Sequence, residues 1–414
     1  MSGMISHLTI RGRIPRLVAL FLIACGPVMA ADPGADPGAE PAATPETGAA
    51  VPARVEGPPP PATLTGDFKA AYVIDADTGW PLVAYHERDR RQPASMLKMM
   101  TELLVLERVA EGDLNFDDPV KVSAKASKMG GSQVYLKQGE VFTVRELLMA
   151  LAIHSANDAA TALAEHVAGS TEAFVDLMNM RARELGMDDT EFHSVHGLPP
   201  GWHQKPDLTT ARDLSILARQ LIKHPEALEW AATKNAPFRD GKFILTNPNH
   251  LVGTYRGLDG LKTGYTGPAG FCVTATAIQK GKRLISVVMG CSSDKARATE
   301  STRLLSYGFN MYTQVPLVAE AGLPLPDPYP VTGGKTKQTT LAYGAPLKVS
   351  VLRDFQDQVS LRYDLPDKIQ APQPAGTEVG RAEAVFAGQV LGSVPVVTRE
   401  DILKGNWMDR LFHR

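Results

Sequence analysis

From Ser95 to about Ala110 the chain reads "SMLKMMTELLVLERVA", with Met96, Leu97, Met99, Met100, Leu103, Leu104, Leu106 and Val109 spread over nearly every side of a helix. Such a helix has no face to give to water, so it belongs inside a domain with other elements wrapped about it. Upstream, "KAAYVIDADTGWPLVAYHERDRR" reads as strand, turn at Asp77-Thr78-Gly79, strand: a hairpin that opens a sheet. Downstream, helices are expected at about 143–153, 157–167, 171–185 and 210–223, joined by polar or Gly/Pro-rich turns.

After residue 256 the pattern changes. "GLDGLKTGYTGPAGFCVTATAIQKGKRLISVVMGC" holds two β-rich runs, 271–278 and 283–290, around a Lys280-Gly281 turn. A shorter run ending in Lys262-Thr263-Gly264 precedes them, and a helix at about 296–312 closes this part. The sheet therefore draws strands from both ends of a segment whose middle is helical, which predicts an α/β layered domain over 64–314. Beyond "PLPDPYPVTGG", short alternating strands separated by Gly and Pro predict a small all-β domain at 315–398, with no cluster of catalytic residue types. The tail 399–414, "REDILKGNWMDRLFHR", sets Ile402, Leu403, Trp407, Leu411 and Phe412 against Arg399, Lys404, Arg410, His413 and Arg414. That pattern suits an amphipathic helix on a membrane surface, with a helix docked on its own domain as the alternative, because Gly405 interrupts it and Asp409 weakens its basic face.

The N-terminus carries other signals. Residues 1–30 combine Arg11, Arg13 and Arg16 with a short apolar stretch and the small-residue exit "VMAA", the order of a secretory signal peptide; "LIAC" offers a lipoprotein cleavage box as a rival. Residues 31–63, rich in Pro, Ala and Gly, lack the apolar surface to offset their ordering entropy and read as a disordered tether. The expected location is therefore outside the cytoplasm, in the periplasm or cell envelope. A net charge of −2 argues against nucleic acid as the main partner. Once Cys25 leaves with the signal, only Cys272 and Cys291 remain, either joined across adjacent strands or buried as small apolar residues.

Three short motifs could carry chemistry. Ser95 and Lys98 stand at i and i+3, about 5–6 Å apart on one helix face, within reach for an amine to take a hydroxyl proton. Alone the spacing is weak: roughly one such match is expected per 400 residues, "SSDK" at 292–295 is a second, and a serine N-cap explains the first. "HSAND" supplies Ser155 and Asn157 on a turn before a helix, itself an ordinary capping pattern. Lys262-Thr263-Gly264 is more specific, since at the end of a strand a cation and a hydroxyl can face a cleft while glycine admits a substrate backbone.

The order Ser-x-x-Lys, Ser-x-Asn, Lys-Thr-Gly matches the set of active-site serine β-lactamases and penicillin-binding proteins. The chain resembles the D-alanyl-D-alanine carboxypeptidase family, the low-molecular-mass penicillin-binding proteins. The resemblance runs over about 65–312, through "AAYVIDADTGWPLVAYHERDRRQPASMLKMMTELLVLE", "FTVRELLMALAIHSANDAATALAEH", "HGLPPGWHQKPDLTTARDLSILARQLI" and "KTGYTGPAGFCVTATA". It implies a transpeptidase-like domain of antiparallel sheet and flanking helices plus a small all-β domain. The implied substrates are peptidoglycan stem peptides ending in D-Ala-D-Ala, with β-lactams as covalent inhibitors and no metal or other cofactor.

Carried over residue by residue, the resemblance makes Ser95 the nucleophile and Lys98 its base. A lysine base must be brought from about 10.4 toward 7–8, and both burial and the neighbouring Lys262 act in that direction. Ser155 would relay a proton to the leaving nitrogen and Asn157 would hold the substrate amide. The N–H groups of Ser95 and Tyr265 would form the oxyanion hole. Lys262, Thr263 and Arg297 would receive the free carboxylate of the leaving residue, a task suited to a planar, always charged guanidinium, while Gly264 would let the substrate backbone approach the strand edge. Two distractors are set aside. "EGDLN" at 111–115 resembles the deacylating Glu motif of class A β-lactamases but precedes the second motif where theirs follows it. His193, His196 and His203 sit in a Pro/Gly loop without the register of a zinc site.

Overall fold

The computed structural model of the chain describes residues 60–199, 201 and 204–406. The expected signal, nearly all of the tether, His203 and the tail from residue 407 lie outside them.

The chain opens with the expected hairpin, β1 (Ala70–Asp75) and β2 (Pro81–Tyr85). Asp75 ties its turn, with Oδ1 accepting from the N–H groups of Asp77 and Thr78 at 3.0 and 2.9 Å. A 3-10 turn, Ala94–Leu97, leads into α1 (Lys98–Glu111), which stops at Gly112 in the left-handed region. The short pair β3 (Pro119–Lys121) and β4 (Val141–Thr143) precedes α2 (Val144–His154), whose N-terminus is closed by a reciprocal Thr143–Glu146 capping box. There follow α3 (Asn157–Ala168), α4 (Thr171–Glu184), α5 (Ala211–Leu221), α6 (Pro225–Ala232) and a small hairpin of β5 (Asn235–Phe238) and β6 (Phe243–Thr246). The main sheet is then completed by β7 (Leu258–Thr266), β8 (Gly270–Gln279) and β9 (Lys282–Cys291), and α7 (Asp294–Met311) ends this half.

The sheet runs β2-β1-β9-β8-β7 and is antiparallel throughout, so strands from both ends of the segment meet at the β1–β9 seam as the sequence pattern requires. Strand alternation divides its side chains between two cores. Ala70, Ile74, Ile285, Val287 and Met289 join the cluster built around α1. Ala71, Val73, Leu284 and Val288 point the other way, into a cluster with Leu304, Leu305 and Phe309 of α7. The all-round apolar helix is indeed interior: Met96, Leu97, Met99, Met100 and Leu103 are fully buried.

The β-rich half begins as α7 ends, with β10 (Tyr312–Val318). It continues through β11 (Tyr329–Thr332), β12 (Gln338–Thr339), β13 (Leu341–Tyr343), β14 (Leu347–Leu352), β15 (Ser360–Asp364), β16 (Ile369–Gln370), β17 (Glu378–Phe386) and β18 (Gln389–Thr398). These small sheets enclose a third core that includes Val349, Ala382, Ala384 and Val396. The hydroxyl of Ser350 donates to Asp75 Oδ2 and that of Tyr312 to the Leu82 carbonyl at 3.1 Å, so this half is fastened to the first hairpin.

Three expectations change. Lys262-Thr263-Gly264 lies within β7, which continues to Thr266, instead of ending the strand. The hairpin β5–β6 and α6 were not anticipated. The amphipathic tail helix does not form over 399–406: this stretch carries bends and isolated bridges, with Ile402 buried and bridged to Gln373 and Lys404 bridged to Gly334. Strand-like alternation, Ile402 in and Leu403 out, accounts for the apolar pattern there. No helix among the described residues is long and apolar enough to cross a membrane.

Candidate active site

Ser95 does not cap a helix. It sits in the 3-10 turn after Ala94, whose φ of 48° forces a sharp entry, and no side chain caps either the turn or α1. Lys98 Nζ lies 2.9 Å from Ser95 Oγ and donates to the carbonyl of His196, also at 2.9 Å. Burial holds the Lys98 pKa well below the ordinary lysine range, and the positive field of Lys262 lowers it further against the opposing pull of Asp158.

Ser155 is not an N-cap either. It closes α2 in the left-handed region at φ 63°, and α3 starts at Asn157 with no side-chain cap. The turn is bound to the loop before it: Asn157 Nδ2 donates to the Gly130 carbonyl at 2.7 Å, Asn157 N to that of Ser132 at 2.7 Å, and Ser132 Oγ to that of His154 at 2.7 Å. Ser155 Oγ and Asn157 Oδ1 are buried and have no hydrogen-bond partner. Such atoms cost about 1–3 kcal/mol each, and they mark where a ligand's polar groups would be received.

Strand β7 is the sheet edge, paired with β8 on one side and packed against the Ser95 turn on the other. Glycine at 264 is needed for that approach: a Cβ there would stand 2.7 Å from Pro93 O and 3.0 Å from Ser95 N. The sequence reading assigned this glycine to substrate approach, whereas its first contact is the nucleophile's own backbone. Lys262 and Thr263 are buried, and Lys262 Nζ donates to the Thr263 carbonyl at 3.2 Å. Burial takes the Lys262 pKa down to about 7, with Glu102 acting upward and Arg297 downward. Tyr265 is exposed and stacks on Phe271 with ring centroids 4.1 Å apart.

Arg297, in the first turn of α7, is buried and fixed by three acceptors: it pairs with Asp294, donates through Nη1 to the Cys272 carbonyl at 3.3 Å, and reaches the Pro248 carbonyl at 3.5 Å. Asp294 in turn meets His250 Nε2 at 3.0 Å. Ser95, Ser155, Asn157, Thr263, Gly264, Tyr265 and Arg297 all line one cleft of about 390 Å³, and Lys98 and Lys262 are buried beside it.

Sequence reasoning missed the loop that accepts from Lys98. Asp207 knots it through the N–H groups of His193 and Ser194, at 2.6 and 2.9 Å, and the Ser194 hydroxyl at 2.7 Å. Gly197 lies so close to Ala94 that a Cβ would come within 2.1 Å of its carbonyl oxygen. The glycine was visible in "HGLPPG", but its partner 103 positions away was not. Burial pushes the His196 pKa down to about 4, and among the described residues no group of three or more His, Cys, Asp or Glu could hold a metal ion. The two distractors are peripheral: Glu111 is exposed and pairs with Arg108, and Lys295 of "SSDK" is exposed at the start of α7. Cys272 and Cys291 are free buried thiols, with burial raising their pKa values to about 11 and 12.

Comparison with known proteins bears on this geometry. Residues 58–293 match the family model described as D-alanyl-D-alanine carboxypeptidase, and residues 315–404 match the C-terminal domain of penicillin-binding protein 5. The D-alanyl-D-alanine carboxypeptidase DacF of Bacillus subtilis is 36% identical over 355 residues, covering 83% of this chain and 88% of the relative. Penicillin binding protein 5 of Haemophilus influenzae superposes with a TM-score of 0.72 at 28% identity, over 82% of this chain and 99% of the other. Penicillin-Binding Protein D2 of Listeria monocytogenes, solved in an ampicillin-bound form, is 34% identical over 60% of this chain and 99% of its own, with a TM-score of 0.55. With a family model matching more than half of its length and a relative this similar along most of it, the chain belongs to the D-alanyl-D-alanine carboxypeptidase family.

Proposed function

We propose that this protein removes the terminal D-alanine from peptidoglycan stem pentapeptides through an acyl-enzyme on Ser95. The observation that carries the reading is the 2.9 Å approach of a buried, pKa-depressed Lys98 amine to the Ser95 hydroxyl. The neutral amine accepts the hydroxyl proton as Oγ attacks the carbonyl of the penultimate D-alanine. The N–H groups of Ser95 and Tyr265 receive the oxyanion, and Asn157 holds the peptide amide. As the tetrahedral intermediate collapses, the amide bond breaks and Ser155 passes a proton to the departing nitrogen. The free carboxylate of the leaving residue meets Lys262, Thr263 and Arg297. Water then hydrolyses the ester and returns Ser95 to its starting state.

A β-lactam enters the same sequence at its first step: Ser95 opens the ring amide, and the expelled nitrogen stays tethered to the acyl group. The ampicillin-bound relative supports this part. In the same reading residues 1–30 form an export signal, 31–63 a tether, 64–314 the catalytic domain and 315–398 the β-rich domain, with the protein acting in the cell envelope where its substrate lies.

The test is to incubate purified protein with a pentapeptide ending in D-Ala-D-Ala and measure released D-alanine, with Ser95→Ala as control. Release that depends on Ser95 is the expected result. Release unaffected by the substitution refutes the mechanism.

A further inference from the structure

Arg297 meets the cleft with a carboxylate already on it. Asp294 Oδ1 accepts from its Nη2, while the carbonyls of Cys272 and Pro248 hold the guanidinium at 3.3 and 3.5 Å. Asp294 Oδ2 lies 3.0 Å from His250 Nε2, and His250, Asp294 and Arg297 all line the cleft. The loop that carries His250 is pinned from behind: the buried side chain of Asn247 donates to the carbonyls of Ala231 at 2.9 Å and Thr233 at 3.1 Å, and its Oδ1 accepts from the Asn249 N–H at 2.9 Å. This loop therefore grips Arg297 twice, once through the Pro248 carbonyl and once through His250 and Asp294. The side chain of His250 is 71% exposed, and an exposed pair of this kind contributes little to stability, so the fold gives no reason for it.

The proposed reaction does. A substrate that ends in a free carboxylate must bring a second negative charge to a guanidinium that already bears one, and like charges so placed oppose each other. The titratable and charged groups that share this part of the cleft with His250 are Asp294 and Arg297 of α7 and Tyr265 of β7, with Lys262 buried within range of the Arg297 charge. With a neutral imidazole the charges of Arg297 and Asp294 cancel, and Arg297 has no surplus to offer a newcomer. With a protonated imidazole Asp294 gains a cation of its own, and the positive charge of Arg297 is left for the substrate.

We infer that His250 is a positioning residue that draws Asp294 off Arg297, so that uptake of a proton by the imidazole opens the guanidinium to the carboxylate of the leaving residue. The inference rests on the proposed acyl-enzyme reading and deepens it. No bond of the substrate changes at His250: one proton passes from solvent to the imidazole as the carboxylate binds, and binding and protonation favour each other by linkage. The carbonyls of Cys272 and Pro248 keep the guanidinium in place while Asp294 turns to His250. A histidine suits this task because an imidazole changes charge between about pH 5 and 8.

The experiment measures KM and kcat for D-alanine release across the range in which imidazoles titrate, in the full chain, His250→Gln, His250→Lys and Asp294→Asn. Lys262, brought down by burial to about 7, titrates in the same range in every variant, so the differences between variants isolate position 250. On the acid side KM should be about 2–5-fold higher in His250→Gln than in the full chain, the worth of an exposed ion pair, and the two should converge as pH rises. His250→Lys, which stays charged, should keep KM below that of the full chain on the alkaline side. In Asp294→Asn the competing charge is gone, so adding His250→Gln should change nothing further. These changes fall on KM and not on kcat. Superimposable KM curves for the full chain and His250→Gln, or a loss of the same size at every pH, overturn the inference, since a merely structural role would act uniformly. If Asp294→Asn does not fold, the two His250 variants decide, because that side chain is exposed. An unmodified protein that neither releases D-alanine nor is labelled by a fluorescent penicillin overturns the proposed function itself, whereas an active protein with superimposable curves overturns only the role of His250.

Discussion

Lys98 Nζ lies 2.9 Å from the Ser95 hydroxyl oxygen and 2.9 Å from the carbonyl of His196, 98 residues further along the chain, so a single amine joins the nucleophile to a distant loop. The carbonyl takes an N–H and leaves the lone pair of the neutral amine free for the serine proton. Because burial and Lys262 hold the Lys98 pKa well below its ordinary value, the free base is present above that depressed value and is lost as pH falls through it. Penicillin labelling of Ser95 should therefore slow progressively on acidification. Lys98→Met should reduce the labelling rate by about 10²–10⁴, and Lys98→Arg, which stays charged, by a similar factor.

Arg297 has its acceptors on α7, β8 and the Pro248 loop, so its orientation is set before any substrate arrives. Arg297→Ala should lower kcat/KM for D-alanine release by about 10–100-fold, the worth of a charge-assisted bond. It should slow penicillin acylation much less. Parallel measurement of the two rates checks this, and equal losses would remove Arg297 from carboxylate recognition.

Ser155 separates activity from stability. Its hydroxyl is buried and unpartnered, so Ser155→Ala should leave thermal unfolding unchanged or raise the midpoint, because an unpaired hydroxyl worth about 1–3 kcal/mol disappears. D-alanine release should fall at least about 10²-fold in the same variant. A large loss of stability would contradict the role assigned to this hydroxyl.

Gly264→Ala tests the close approach of β7 to the Ser95 turn. The added methyl meets backbone atoms of Pro93 and Ser95, which cannot swing aside like a side chain. Overpacking of this kind costs about 1–3 kcal/mol. The expected result is a lower unfolding midpoint together with slower penicillin labelling, since relief of the clash moves the strand edge away from Ser95.

The sequence was most legible where one physical preference dominates over many residues. The apolar circumference of α1 has no solution except burial, and the paired runs around Lys280-Gly281 have none simpler than a hairpin. It was least legible where a partner lies far along the chain. Ala94 holds a positive φ in a turn that Gly197 of a loop and Gly264 of β7 approach closely, and neither neighbour can be read from "PASMLK". The strand β7 outruns Gly264 because Tyr265 and Thr266 find Phe271 and Gly270 across the turn. Pro237 disguised β5, since a proline inside a short run argues against a strand unless it lies at an edge.

The passage from α7 into β10 spends no residue on a linker: Met311 ends the helix and Tyr312 begins the strand. Tyr312 and Ser350 also hold the Leu82 carbonyl and Asp75 of the first hairpin. A swivel needs slack, and this junction has none. Whatever grips the β-rich half therefore steers the cleft with it, and the direction in which the mouth looks is decided when the chain folds.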